Sequence, residues 1–94
     1  MCLIGIYFLK VSFAWDPAKN EPLKSERGIS FEELEIAIGT DLLTEFENPG
    51  YPGQQILIVR CRGMIWAIAA ETRGKIQWLA TAYPSRKWRK KYGP

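Results

Sequence analysis

A chain of 94 residues, 47% hydrophobic and 13% aromatic, suffices for one buried core and no second domain, because a protein of this size hides only about 60 to 65% of its unfolded surface. Two cysteines, Cys2 and Cys61, and no histidine exclude a disulfide scaffold, the usual metal-ligand spacings and the commonest general base. The net charge of +3 conceals an asymmetry: residues 1–59 carry 4 basic and 9 acidic side chains, residues 60–94 carry 9 basic and 1 acidic, a distribution that points to a polyanionic partner.

Residues 3–14 are rich in Ile, Tyr, Phe and Val and predict a first strand. Met1 to Leu9 has no charged start, no small-residue cleavage site and too little length to span a bilayer. It therefore reads as neither signal peptide nor anchor, and a cytoplasmic protein with no membrane partner is expected. Asp16 followed by Pro17 opens a helix that runs to about Glu26, with a kink or break at Pro22, and Gly28 stops it. Ser30 and Glu33 form a capping box, with Ile29 stapled against Leu34, for a second helix over Phe31–Ile38 ended by Gly39. Its apolar positions Phe31, Leu34, Ala37 and Ile38 make one buried face and leave Glu32, Glu33 and Glu35 in water.

Leu42–Phe46 reads as an edge strand, and the turn-rich run Asn48-Pro-Gly-Tyr-Pro-Gly53 as a loop. Three strands follow, Gln55–Cys61, Met64–Thr72 and Ile76–Tyr83, joined by tight turns at Arg62-Gly63 and Arg73-Gly74. A last helix opens at Pro84-Ser85 and continues through Tyr92. The expected fold class is α+β: a small antiparallel sheet of three to five strands in a single domain, residues 1–94. Two N-terminal helices pack on one face and a short basic helix ends the chain. Residues 1–11 are either an N-terminal extension or part of the first strand.

The chemistry concentrates in the second half. Alternation along Gln55–Cys61 sets Ile56, Ile58, Arg60 and Arg62 on one face. The hairpin tip contributes Glu71, Arg73 and Lys75, and the run Ser85-Arg-Lys-Trp-Arg-Lys-Lys-Tyr92 contributes the densest cluster, with Trp88 and Tyr92 four residues apart. RNA carries its own nucleophile in the 2′-hydroxyl, so cleavage without a metal or cofactor needs a proton acceptor, cations around the phosphate and a donor for the leaving oxygen. Arg60, Arg62, Arg86, Lys87 and Arg89 suit the phosphate, Glu71 or Lys75 the proton, and exposed Trp or Tyr rings can stack bases. Arg73, Trp88, Lys90 and Tyr92 complete the candidate RNA contacts. Each has a plainer reading: a solvated basic helix for 85–92, a hairpin ion pair for Glu71 with Arg73 or Lys75, core packing for Trp66 and Trp78, and idle thiols for the cysteines.

From Phe13 to Tyr92 the order of residues resembles the BrnT-like toxins, small ribonucleases of RelE-like fold paired with a DNA-binding antitoxin. The stretches that carry the likeness are Phe13-Ala-Trp-Asp-Pro-Ala-Lys-Asn20, Lys24 to Gly28 leading into Ile29-Ser-Phe-Glu-Glu33, and Pro84-Ser-Arg-Lys87 with Tyr92. The resemblance implies a type II toxin that inhibits translation by cutting RNA. Its partners are RNA, a cognate antitoxin of ribbon-helix-helix type and, as a further candidate, the ribosome. By position, Glu71, Lys75, Arg86 and Lys87 match charged places of the family's last hairpin and helix, and Lys19 and Lys24, which the resemblance adds to the candidate RNA contacts, match basic positions of its first helix. Arg27 stands where many relatives have histidine, Ala82 where the last strand often ends in arginine, and Ala80 where a nearer branch has lysine. Two rivals to the nuclease follow: a non-catalytic RNA- or ribosome-binding module, and an interaction domain whose basic face seats an acidic partner.

Overall fold

The computed structural model describes residues 12–93. Their order is β1 (Ser12–Trp15), α1 (Pro17–Arg27), α2 (Phe31–Thr40), β2 (Leu42–Glu47), β3 (Gln54–Cys61), β4 (Met64–Arg73), β5 (Ile76–Pro84) and α3 (Arg86–Tyr92). Of the strand expected over 3–14, the part before Ser12 lies outside the described residues.

The local signals act as their chemistry requires. The Asp16 carboxylate accepts from the Ala18 N–H at 2.9 Å, Pro17 occupies the first turn, and Gly28 ends α1 at φ 70° with its N–H donating to the Lys24 carbonyl. No break occurs at Pro22, and α1 continues through it. Pro22 and Ala18 are both exposed, so water can take the Ala18 carbonyl that proline leaves without a donor. The Ser30 hydroxyl accepts from the Glu33 N–H at 3.2 Å, but the Glu33 carboxylate does not close the box; it pairs with Arg62. The helix also passes through Gly39 and ends at Thr40, where Asp41 N–H still reaches the Ala37 carbonyl at 2.7 Å. One exposed glycine costs a helix only about 1 kcal/mol.

The sheet order is β1-β5-β4-β3-β2. β2 through β5 are antiparallel to their chain neighbours as expected, while β1 runs parallel to β5, with Ser12 opposite Ile76 and Trp15 opposite Leu79. The sheet is therefore mixed, and α1 and α2 form the crossover from one edge strand to the other. At the β3–β4 turn both Arg62 (φ 54°) and Gly63 (φ 73°) are left-handed, the signature of a type I′ hairpin. Arg73 still pairs with Ile76, so the β4–β5 turn is Gly74-Lys75 rather than Arg73-Gly74. Ala80 is an extra residue in β5, bulged between Leu79 opposite Ala70 and Thr81 opposite Ala69.

Two cores result. On one face Leu23, Ile29, Phe31, Leu34, Ala37 and Ile38 from the N-terminal helices close over Leu57, Val59, Trp66, Ile68, Ala70, Leu79 and Ala82. Each large side chain buried there contributes about 1.5–3 kcal/mol. Buried Asn20 ties the two helices together: its carbonyl oxygen accepts from the Phe31 N–H at 2.8 Å and its amide donates to the Glu32 carboxylate at 2.8 Å. On the opposite face Ile56, Ile58, Ile65, Ala67 and Ala69 are covered in part by Leu43, Phe46, Trp88 and Tyr92, so α3 lies across the side of the sheet that α1 and α2 leave free.

Candidate nucleic-acid interface

The position of α3 follows from contacts at its start, its end and between the two. The Ser85 N–H donates to the Ile65 carbonyl at 2.9 Å and the Ser85 hydroxyl accepts from the Trp88 N–H at 3.2 Å, which starts the helix over the end of β4. At its other end the half-buried Arg60 guanidinium donates to the Tyr92 carbonyl at 2.9 Å, a cation at the negative pole of the helix. Between them Trp88 packs on Phe46 of β2 (centroids 5.6 Å) and Tyr92 stacks on Trp88 at 5.9 Å and 18°. The helix thereby crosses β4, β3 and β2 at one end of the sheet, with its rings turned inward and Arg86, Lys87, Arg89, Lys90 and Lys91 exposed.

These five cations are not equivalent. Lys87 and Lys91 bracket the Trp88 ring at 5.5 and 5.3 Å, whereas Arg86 and Arg89 border a cleft of about 260 Å³ with Met64 and Pro84 on the other flank. Arg89, Lys90 and Lys91 occupy the last helical turn, where the dipole favours positive charge. Trp88 and Tyr92 are half-buried and hold the helix to the sheet.

The other expected site residues lie elsewhere. Glu71 sits on the same sheet face as α3, opposite Gln54 on one side and Trp78 on the other. Its carboxylate accepts from Arg73 at 3.0 Å and from the Gln54 amide at 3.5 Å, and the Arg73 guanidinium lies over the Trp78 ring at 4.7 Å. A cleft of about 280 Å³ opens beside this group, lined by Tyr51, Gln54, Glu71 and Arg73 among others. Lys75 is exposed at the hairpin tip. From Glu71 to Ile65, where α3 starts, β4 runs six residues, roughly 20 Å at about 3.3 Å each. The strand thus separates Glu71, Arg73 and Lys75 from Arg86 and Lys87.

Arg62 does not share the face of Arg60. Its left-handed turn conformation ends the alternation, and its guanidinium pairs with Glu33 of α2 on the opposite side of the sheet; this bond, foremost, pushes the Arg62 pKa up. Lys24 pairs with Glu21 along α1 at 3.2 Å, and Lys19 reaches round the sheet edge to the Ala80 carbonyl at 3.4 Å. Among the described residues the basic side chains therefore form three groups, not one patch: α3, the β4–β5 hairpin tip, and the α1–α2 side. Two of the glutamates expected in water on α2, Glu32 and Glu33, have partners as well. The Asn20 amide, first among its neighbours, holds the Glu32 carboxyl below its ordinary value. Cys61 is a half-buried thiol whose pKa is pushed up, by burial first and then by Glu33.

Sequence reasoning assigned Trp78 to the core and passed over Lys91 and Tyr83 as contacts. Trp78 is half-buried beneath Arg73, and Tyr83 is 44% exposed on the α3 side of the sheet. The register of a two-residue Gly74-Lys75 turn contains the first placement, because it sets Arg73 diagonal to Trp78. The Ala80 bulge hid the second. No protein-family model matches the chain, and no curated protein or solved structure matches it at a significant level.

Proposed function

We propose that this chain is the toxin of a bacterial type II toxin–antitoxin pair: a cytoplasmic, metal-independent endoribonuclease that cuts RNA, inhibits translation and is neutralised by a cognate antitoxin. The observation that carries the reading is α3, a helix with five exposed cations pinned by its own aromatic residues across an otherwise open sheet face. The resemblance of residues 13–92 to BrnT-like toxins supports it. Lys87 and Lys91 hold phosphates beside the rings, and Arg86 and Arg89 form a guanidinium pair on the other flank. No helix of the described residues is long and apolar enough to cross a membrane.

Cleavage in this reading belongs to the hairpin-tip end. Glu71, oriented by Gln54 and Arg73, accepts the proton of a 2′-hydroxyl as that oxygen attacks the adjacent phosphorus. The bond to the 5′-oxygen breaks, a 2′,3′-cyclic phosphate forms, and Lys75 returns a proton to the leaving oxygen. Arg73 and Lys75 neutralise the charge that develops on the phosphate, while the α3 cations hold the strand farther along. Purified protein, free of antitoxin, is expected to cut RNA, and Glu71→Gln to bind the same RNA without cutting it. Intact RNA together with unimpaired growth on expression would remove the toxin reading.

The separation of Glu71 from α3 by roughly 20 Å of strand favours one alternative, a non-catalytic RNA- or ribosome-binding module. It predicts salt-sensitive binding with no scission by any variant.

A further inference from the structure

The α3 side of the sheet is only partly covered, and what stays open is a row on β5. Cross-strand pairing sets Trp78 beside Glu71, Thr81 beside Ala69 and Tyr83 beside Ala67, so all three β5 residues share the face of Ile56 and Ile58. Thr81 and Tyr83 are exposed, and Trp78 is half-buried. The neighbouring positions on β4, Ala67 and Ala69, carry only methyl groups, so the two rings stand above a low floor. Cations lie beyond both ends of β5: Arg73 and Lys75 at the hairpin tip, and the cluster of α3, which begins at Arg86 just after β5 ends at Pro84.

Resting on the reading that the protein binds RNA, we infer that Trp78 and Tyr83 are the base-stacking positions for a single RNA strand laid along β5 from the hairpin tip to α3. Flat apolar rings between groups of positive charge match a polyanion whose bases are splayed out, and aromatic residues on an open sheet face bind single-stranded RNA in this way. A duplex cannot use them, because its bases already stack on one another. Trp78 is held in place for this task. The Arg73 guanidinium covers one side of its ring at 4.7 Å and is itself fixed by Glu71 at 3.0 Å, and the outer face of a guanidinium plane extends a stack. Ala67 and Glu71, which pair with Tyr83 and Trp78, are four residues apart on β4, about 13 Å at roughly 3.3 Å per residue. Occupying both rings therefore takes an oligonucleotide rather than a mononucleotide.

The test is fluorescence anisotropy with a labelled 8-nucleotide RNA, 2′-O-methylated so that it cannot be cut, and with the same strand annealed to its complement. The full chain is compared with Trp78→Ala, Tyr83→Ala, Tyr83→Phe and the double variant Arg86→Ala/Lys87→Ala. Each loss of a ring is expected to weaken single-strand binding about 5- to 150-fold, Tyr83→Phe to retain it, and duplex binding to be weaker than single-strand binding and unmoved by either ring. Circular dichroism separates a misfolded Trp78→Ala from a folded one, and Tyr83→Ala, at an exposed position, carries the test by itself. If Trp78→Ala and Tyr83→Ala bind as the parent does while Arg86→Ala/Lys87→Ala binds weakly, the stacking row is wrong and the RNA reading stands. If no variant weakens binding, or if polyglutamate displaces the RNA and is held equally by every ring variant, both are wrong.

Discussion

Replacing Asn20 by alanine removes two interactions with one side chain and tests how the N-terminal helices are joined. The Phe31 N–H, one of the free donors at the start of α2, bonds only to the Asn20 oxygen among the contacts described, and Phe31 is 1% exposed, so water cannot replace the acceptor. An unsatisfied buried donor costs about 1–3 kcal/mol, and a loss near 2 kcal/mol is expected. In a domain of this size each kcal/mol moves the melting temperature by about 4–8 °C, so a fall of about 8–16 °C should appear in thermal melts followed by circular dichroism. The pH dependence adds a second readout. Asn20 is the chief reason that the Glu32 carboxyl sits below 4.5. A depressed carboxyl stabilises the fold above its unfolded pKa and loses that contribution as pH falls through the folded one, so the gap between parent and Asn20→Ala should narrow below 4.5. Asn20→Asp keeps the acceptor for Phe31 but sets a carboxylate against Glu32; it should be destabilised at neutral pH and recover on acidification. A melting temperature for Asn20→Ala within about 2 °C of the parent would refute the reasoning.

Arg60→Ala removes the donor to the Tyr92 carbonyl and should lower hydrogen-exchange protection in α3 about five- to tenfold, the equivalent of one hydrogen bond of roughly 1 kcal/mol; unchanged protection would mean that Trp88 alone holds the helix. If Arg86 and Lys87 each meet a phosphate, neutralising both should reduce the slope of log K against log salt by about 2, and an unaltered slope would place the phosphates elsewhere. Cys61, its thiol pushed up from 9.0 chiefly by burial, should alkylate more slowly than a free cysteine at neutral pH, and its rate should still be climbing with pH above that value, where that of a free cysteine has levelled off, measured on its own peptide by mass spectrometry.

The sequence was informative wherever a single residue type settles the backbone. Asp16-Pro17, Gly28, Ser30 and Gly63 fixed helix starts, a helix end and a hairpin, because capping and positive φ are properties of a few adjacent residues. Pairing across the whole sheet is not of this kind. The parallel contact of β1 with β5 joins Ser12 to Ile76, and no local pattern in either segment encodes it. The basic residues were legible as types but not as a surface. Strand alternation assigned Arg62 to the face of Arg60, and the left-handed turn reversed it. Likewise Glu71 and Arg86 are close in composition and far apart in space, because an extended strand carries the chain away before α3 folds back. Asn20 gave no signal, since one polar residue in a polar helix looks like any other until α2 is packed against it.

The short β1 has a consequence for how this protein behaves at high concentration. Among the described residues β1 reaches only as far as Leu79, so the outer rim of β5 from Ala80 to Pro84 has no strand beside it, and a bare rim invites sheet-to-sheet association. Three features guard it: the Ala80 bulge breaks the regular spacing of donors and acceptors, the Lys19 ammonium plugs the Ala80 carbonyl, and Pro84 withholds an N–H. Shortening the lysine, as in Lys19→Ala, exposes that carbonyl and should leave a well-folded molecule more prone to form soluble oligomers.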